Sequence, residues 1–474
     1  MTTMSDFSLK DLDSRKKEII LNSVGIDYDQ YEREGIGFSY EEMMEDTGFS
    51  FEDVQRIQHE SMIGNTPLFE LKNITAYARK FAPEGYGARI FIKDEASNLS
   101  GSFKARRAAV SVYKAKQLGF KGVIAATSGN YGAAVAALAA KNGLKCIIVQ
   151  ECFDSKNKAQ PEIIEKARAC EAYGAEVVQL SVGPELFYAF LHLLDVTGYF
   201  NASLYSPYGI QGIETLGYEI VTQTYNQTGR YPSAVICTNA GGGNLTGTAR
   251  GIELRANHRC RNIAASVNLQ GLHMASDDDF NRKSFTTGHT GFGMPFAINP
   301  DRSDVPRSAA RPLKYIDEYY TVNQGSVFFI TEALATLEGL ERGPAGNTSL
   351  AVAFKLAQTM EKDKVIVVQE TEYTGAGKHH QPQLSFAKQN GVDIVFGDPQ
   401  TEIPGKNIVV PNSADDIHIE KISLDKLRKS YLKRYASQSL TEYDYTYLKE
   451  EFRMDNVKRI EELFEEVKNE RAKR

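Results

Sequence analysis

A lysine in the first turn of a helix is an unusual place for a cation, and the run Ser100-Gly101-Ser102-Phe103-Lys104 puts one there. It lies between a strand read at Ala88–Lys93 (ARIFIK) and a helix read from Phe103 to Leu118. The positive end of the helix dipole and partial burial both disfavour the ammonium form and lower its pKa. A lowered pKa is what a lysine needs to form a Schiff base with a carbonyl group. Standing alone, the run fits a solvated lysine equally well.

Three further runs share this placement. Thr127-Ser128-Gly129-Asn130-Tyr131-Gly132 follows the apolar strand Gly122–Ala126 (GVIAA) and opens a helix. Small hydroxyls and free backbone N–H groups at such an end bind a carboxylate, and Asn130 offers an amide to a phenolate-like oxygen. A plain N-cap would look the same. Asn239-Ala240-Gly241-Gly242-Gly243-Asn244-Leu245-Thr246-Gly247 follows the strand Ala234–Cys237. Three successive glycines let backbone amides approach a phosphate closely. The run lacks the Lys-Ser/Thr of a nucleotide P-loop and is not GxGxxG with a ribose-binding acid, so ATP and NAD fit poorly and a single phosphate fits well. Thr371-Glu372-Tyr373-Thr374-Gly375-Ala376-Gly377-Lys378 follows Lys364–Val368 (KVIVV), where a threonine hydroxyl can reach a pyridine nitrogen or simply close a turn.

What positions these runs is an alternation of short apolar segments and amphipathic stretches. Lys145–Val149, Glu176–Leu180 and Ile263–Leu269 complete the set of expected strands, a pattern of strand–helix–strand units and a parallel sheet. Every chemical run sits just past the carboxyl end of such a strand, where open α/β sheets bind ligands. Residues 1–60 read as helices and loops lying over a core without forming one. Residues 271–315 lack period and read as a functional loop or lid, with His289, Arg302, Arg307 and Arg311 as candidates for acid–base or phosphate contacts; a structural loop histidine and surface arginines fit as well. The charged C-terminal stretch reads as solvated surface helices or as a subunit-docking arm.

Composition closes off other classes. A formal charge of -6 does not suit a nucleic-acid binder. No uninterrupted apolar run is long enough to span a membrane and no secretory leader is visible, so a cytoplasmic protein is expected. The five cysteines, with no CxxC pair, read as reduced apolar fillers, and no metal site is expected.

In order and content the runs resemble the pyridoxal-phosphate (PLP) enzymes that include threonine synthase, serine/threonine dehydratase, cysteine synthase and tryptophan synthase β. "GNTPL" at Gly64–Leu68 and "KDEASNLSGSFKAR" at Lys93–Arg106 extend the resemblance over roughly residues 61–380. It implies that Lys104 is the Schiff-base lysine, that Asn130 bonds the cofactor's 3′-oxygen, and that Gly241, Gly242, Gly243, Asn244 and Leu245 form the backbone cup for the 5′-phosphate. Thr127, Ser128, Gly129 and Tyr131 then bind the substrate carboxylate. Thr374 resembles the hydroxyl facing the pyridine nitrogen in threonine synthases, with Thr371 the competing assignment.

A closer resemblance lies in the acidic N-terminal extension, "FNASLYSPYGIQGIETLGYEI" at Phe200–Ile220 and "ERGPAGNTSLA". These are similar to the large, PLP-binding subunits of 2-amino-4-ketopentanoate thiolases. That resemblance implies cleavage of 2-amino-4-oxopentanoate with coenzyme A to acetyl-CoA and alanine (the D-enantiomer) in ornithine breakdown, with a small alpha subunit as partner; self-association is expected as well. Ala105 stands where threonine synthases carry Asp, which argues against their reaction. Threonine synthase or an amino-acid lyase, neither needing coenzyme A, and a non-catalytic PLP-binding regulatory subunit are the rival readings. The fold implied is α/β: two open, mostly parallel twisted sheets with helices on both faces and the cofactor in the cleft between them. The expected division is an N-terminal helical extension over 1–60, a large PLP-binding unit over 61–104 and 220–415, a smaller α/β unit over 105–219, and a helical tail over 416–474.

Overall fold

The computed structural model describes residues 9–127, 129–154, 156–181, 185–257, 259–271, 283–288, 304–373 and 380–472. Within them lie thirteen strands: β1 (Leu68–Glu70), β2 (Arg89–Asp94), β3 (Gly122–Thr127), β4 (Lys145–Phe153), β5 (Glu176–Ser181), β6 (Phe200–Asn201), β7 (Ala234–Thr238), β8 (Arg261–Val267), β9 (Glu318–Val322), β10 (Val365–Glu370), β11 (Asp393–Gly397), β12 (Asn407–Pro411) and β13 (Ile419–Ile422). A seven-stranded sheet runs in the order β1-β2-β10-β7-β8-β9-β13, and a four-stranded sheet in the order β5-β4-β3-β6. The smaller sheet is wholly parallel. In the larger one only the outer strands β1 and β13 pair antiparallel.

The unbroken apolar runs follow from burial on both faces. Side chains alternate across a strand. On β10, Val365 and Val367 pack into one core with Leu245, Ile252 and Leu427, while Ile366 and Val368 pack into another with Leu350 and Phe354. On β7, Val235 and Cys237 take the first side and Ala234 and Ile236 the second. The strand order matters most for function. β2, β10 and β7 are adjacent and mutually parallel, so the loops leaving Asp94, Glu370 and Thr238 emerge side by side although hundreds of residues separate them in sequence.

Two peripheral expectations are corrected. The first 60 residues do form core: Val24, Met43 and Val54 are fully buried, in one cluster with Ile124 and Ile148 of the smaller sheet. The C-terminal helices, Leu424–Leu432, Glu442–Glu451 and Val457–Ala472, are not merely solvated. Each turns an apolar stripe inward, and Leu427, Leu448, Phe452, Ile460 and Phe464 are fully buried against the larger sheet. Their charge sits on the opposite faces, which hides the stripe in a composition average.

All five cysteines are free and buried, and burial pushes each thiol up, away from the thiolate range. Among the described residues no helix is long and apolar enough to cross a membrane.

Candidate active site

Lys104 is the first residue of the helix Lys104–Gln117. The approach to it is strained: Ser100 has φ 62° and Gly101 φ 72°, so a non-glycine residue holds the left-handed region directly before the lysine. Two backbone hydrogen bonds fix this loop to the end of β10. Phe103 N–H donates to the Thr371 carbonyl at 3.0 Å, and Tyr373 N–H donates to the Gly101 carbonyl at 2.8 Å. The first and fourth chemical runs are thus pinned together. The Lys104 ammonium lies 4.6 Å from the centre of the Phe103 ring. Burial, reinforced by the neighbouring Arg107 cation and opposed by Glu372, lowers its pKa to about 7.

The glycine run caps the helix Gly243–Ala256. No side chain fits there. A Cβ on Gly241 would stand 2.1 Å from the Tyr205 hydroxyl, one on Gly242 (φ +77°) 2.6 Å from Pro312, and one on Gly243 2.7 Å from Arg107 Nη2. Bare backbone is therefore what the run presents at a helix N-terminus, an anion-binding geometry. Asn244 donates to Gln369 through Nδ2, and its Oδ1 is buried without a partner among the described residues. Leu245 is buried in the core beneath the loop.

From the smaller sheet, Thr127 ends β3 and accepts the Gly129 N–H at 3.1 Å. Asn130 opens the helix Asn130–Asn142, and its buried Oδ1 has no hydrogen-bond partner among the described residues. The Tyr131 hydroxyl donates to the Ala202 carbonyl at 2.8 Å, so this side chain is already engaged within the fold and what it can offer a carboxylate is its backbone N–H. Ser128, Thr374, His289 and Arg302 lie outside the described residues. Thr371 is buried, with its carbonyl engaged by Phe103.

Arg307 and Arg311 are not ligand arginines in this structure. Arg307 pairs with Glu32 at 3.0 Å and lies over the Phe38 ring at 5.3 Å. Arg311 pairs with Glu451 at 2.6 Å and Glu41 at 2.9 Å. Arg307 ties the N-terminal extension, and Arg311 both that extension and a C-terminal helix, to a packed part of the 271–315 segment, where Val305, Ala309 and Ala310 are buried.

The "GNTPL" and "KDEASN" runs serve the site by support. Arg106, fully buried, donates to Glu95 at 2.7 and 2.9 Å and to Glu219 at 2.8 Å; Lys93 joins Glu219 at 2.7 Å and the Thr66 carbonyl at 2.7 Å. Burial pushes the Glu219 carboxyl up, but Arg106 and Lys93 outweigh it and hold it down at about 2. This network clamps the segment on both sides of Lys104. Arg106→Met strands Glu95 in the interior and is expected to cost about 3–5 kcal/mol of stability, read from urea denaturation. A loss under about 1 kcal/mol would mean that the network is not a structural clamp.

Missed by sequence reasoning was Arg107. It is 1% exposed and its guanidinium lies 5.9 Å from the centre of the Tyr131 ring. Nothing in "KARRAA" distinguishes it from its paired neighbour Arg106.

The family described as "Pyridoxal-phosphate dependent enzyme" matches residues 60–372. A 2-amino-4-ketopentanoate thiolase beta subunit from Acetoanaerobium sticklandii is 63% identical over 454 residues, covering 95% of this chain and 97% of that one. A second protein of that name, from an unidentified prokaryote, is 59% identical over 445 residues, covering 93% and 94%. Among solved structures, a pyridoxal 5′-phosphate-dependent aspartate racemase superposes with a TM-score of 0.54 at 18% identity, over 68% of this chain and 95% of its own, a likeness of fold alone. The chain belongs to the pyridoxal-phosphate-dependent enzymes and, within them, to the family of 2-amino-4-ketopentanoate thiolase beta subunits.

Proposed function

We propose that this chain is the catalytic subunit of a two-subunit enzyme that cleaves 2-amino-4-oxopentanoate with coenzyme A, in the cytoplasmic breakdown of ornithine. The observation that carries the reading is the 63% identity over 95% of the chain to a protein named for that activity. In this reaction the thiol adds to the C4 ketone, the C3–C4 bond breaks, and the acetyl group leaves on sulfur. The thiol proton's equivalent returns to C3, and alanine remains.

The cofactor is pyridoxal phosphate, and the residues present fit it. A partly exposed lysine with a lowered pKa and a glycine run that tolerates no Cβ both support the fit. When bound, the cofactor supplies the electron sink for charge next to the amino-bearing carbon. Lys104 would capture it, release it to the substrate amine, and move the proton at the substrate α-carbon. The Gly241–Leu245 backbone would hold its phosphate, Asn130 its 3′-oxygen and Thr374 its ring nitrogen. Thr127, Ser128, Gly129 and the Tyr131 N–H would orient the substrate carboxylate. In this reading the large unit comprises 61–104 and 220–415, the smaller unit 105–219, and the small partner subunit brings or completes the coenzyme A site.

The test is turnover of the amino-ketone with coenzyme A, with and without the partner, against O-phosphohomoserine as the rival substrate. The purified chain alone is expected to hold PLP and to form acetyl-CoA at least about tenfold more slowly than with its partner. Threonine release without coenzyme A would overturn the reaction assigned, and full thiolytic rates from this chain alone would overturn the two-subunit part.

A further inference from the structure

We propose that Arg107 is the side-chain anchor of the cofactor's 5′-phosphate, closing the cup whose floor is the Gly241–Gly243 backbone. The proposal rests on the reading of that glycine run as the phosphate loop.

Two adjacent arginines leave the same helix turn with opposite fates. Arg106 is surrounded by Glu95, Glu219, Thr66 and Thr215. Arg107 is equally buried, yet among the described residues its Nε and Nη2 have no hydrogen-bond partner. Its charged neighbour is Lys104, another cation, and its other electrostatic partners are the tyrosines Tyr131 and Tyr205. Burial draws the guanidinium down to about 10, so it stays charged at neutral pH. A buried cation without a counter-ion among the described residues is costly by several kcal/mol, and an anion brought by a bound ligand would offset that cost.

The position of Arg107 says which anion. Three residues beyond Lys104, it projects from the same helix face. Its Nη2 lies 2.7 Å from where a Cβ on Gly243 would stand, at the first turn of the Gly243–Ala256 helix. Backbone N–H groups from below and a planar fork of donors from above make a site for a dianionic oxyanion group, the geometry of a phosphate monoester. The substrate carboxylate, the other oxyanion that enters this site, is read onto the Thr127–Tyr131 run.

The test compares PLP with unphosphorylated pyridoxal on the full-length protein, after removal and return of cofactor. Wild type is expected to bind PLP far more tightly than pyridoxal. Arg107→Gln is expected to lower PLP affinity about 100-fold while changing pyridoxal affinity by less than about threefold. The apo variant should melt no lower than wild type, because a buried unpaired charge has been removed. In ³¹P NMR the bound phosphate of wild type should hold one ionisation state across the range where a free phosphate monoester titrates, near about pH 6; in Arg107→Gln it should titrate.

Equal losses for PLP and pyridoxal, or a lower apo melting temperature together with both losses, would make Arg107 structural and overturn the proposal. Unchanged PLP affinity with a raised KM for the amino substrate would assign it to the carboxylate instead. If the Gln variant does not fold, Arg107→Lys carries the test: it keeps charge but not the fork, and is expected to weaken PLP about tenfold and pyridoxal not at all. A wild type that fails to prefer PLP over pyridoxal would instead defeat the phosphate-loop reading itself.

Discussion

Lys104→Ala is expected to yield a folded protein that binds PLP without a covalent link, lacks the Schiff-base absorbance of wild type and turns over at least about 10³-fold more slowly. The side chain stands at the start of a helix, partly buried, with Arg107 beside it, and these place its pKa at about 7. Near neutral pH about half of it is the neutral amine, against fewer than about one in a thousand for an ordinary lysine. Cofactor capture by the wild-type apoprotein should therefore rise with pH through a midpoint near 7. Stability follows with a definite sign. Between about 7 and 10 the unfolded chain binds this proton and the folded apoprotein does not, so apo stability rises with pH over that window. Lys104→Ala removes this contribution to the slope. Visible absorbance like that of wild type in the variant would sink the assignment, as would a capture midpoint near 10.

The chemical runs were legible in the sequence because each needs particular residue types in a short span: a lysine after a tight turn, or glycines before a helix. Four of the five inner strands of the larger sheet were legible for a different reason, while β9 was not read. β2, β7, β8 and β10 are buried on both faces and so read as unbroken apolar words. The edges were not. β1 and β6 have three and two residues, too short for any period to register. The adjacency of β2, β10 and β7 is a property of strand order, and no local pattern records it. Arg107 was illegible because burial without a partner is a tertiary fact: in "ARRAA" the paired and unpaired arginines are the same letter. The same holds for Arg307 and Arg311, whose partners Glu32 and Glu451 are remote in sequence.

Truncation after Asp416 is expected to abolish folding, where the charged composition of the tail alone suggested a dispensable docking arm. The lost segment carries Leu427, Leu432, Leu448, Phe452, Ile460, Leu463, Phe464 and Val467, all at 0–1% exposure. They share one core with Val235 and Cys237 of β7, Ala264 of β8 and Val365 and Val367 of β10. At about 1.5–3 kcal/mol for each large apolar side chain whose packing is lost, the eight together match or exceed the roughly 5–15 kcal/mol by which a domain is stable. The face of the larger sheet beneath the Gly241–Gly243 run would be stripped as well, and β13, the antiparallel edge strand beside β9, would go with it. Loss of Glu451 would leave Arg311 buried without its shortest ion pair. PLP retention and solubility should therefore fail together, measured by cofactor content and by the soluble fraction on expression. A milder variant isolates the cause. Phe464→Ala keeps the full tail and every charge, and is expected to cost about 3–5 kcal/mol in urea denaturation. A soluble, PLP-replete truncation would show that the tail is an appendage after all, and would return it to the role of a surface for the partner subunit.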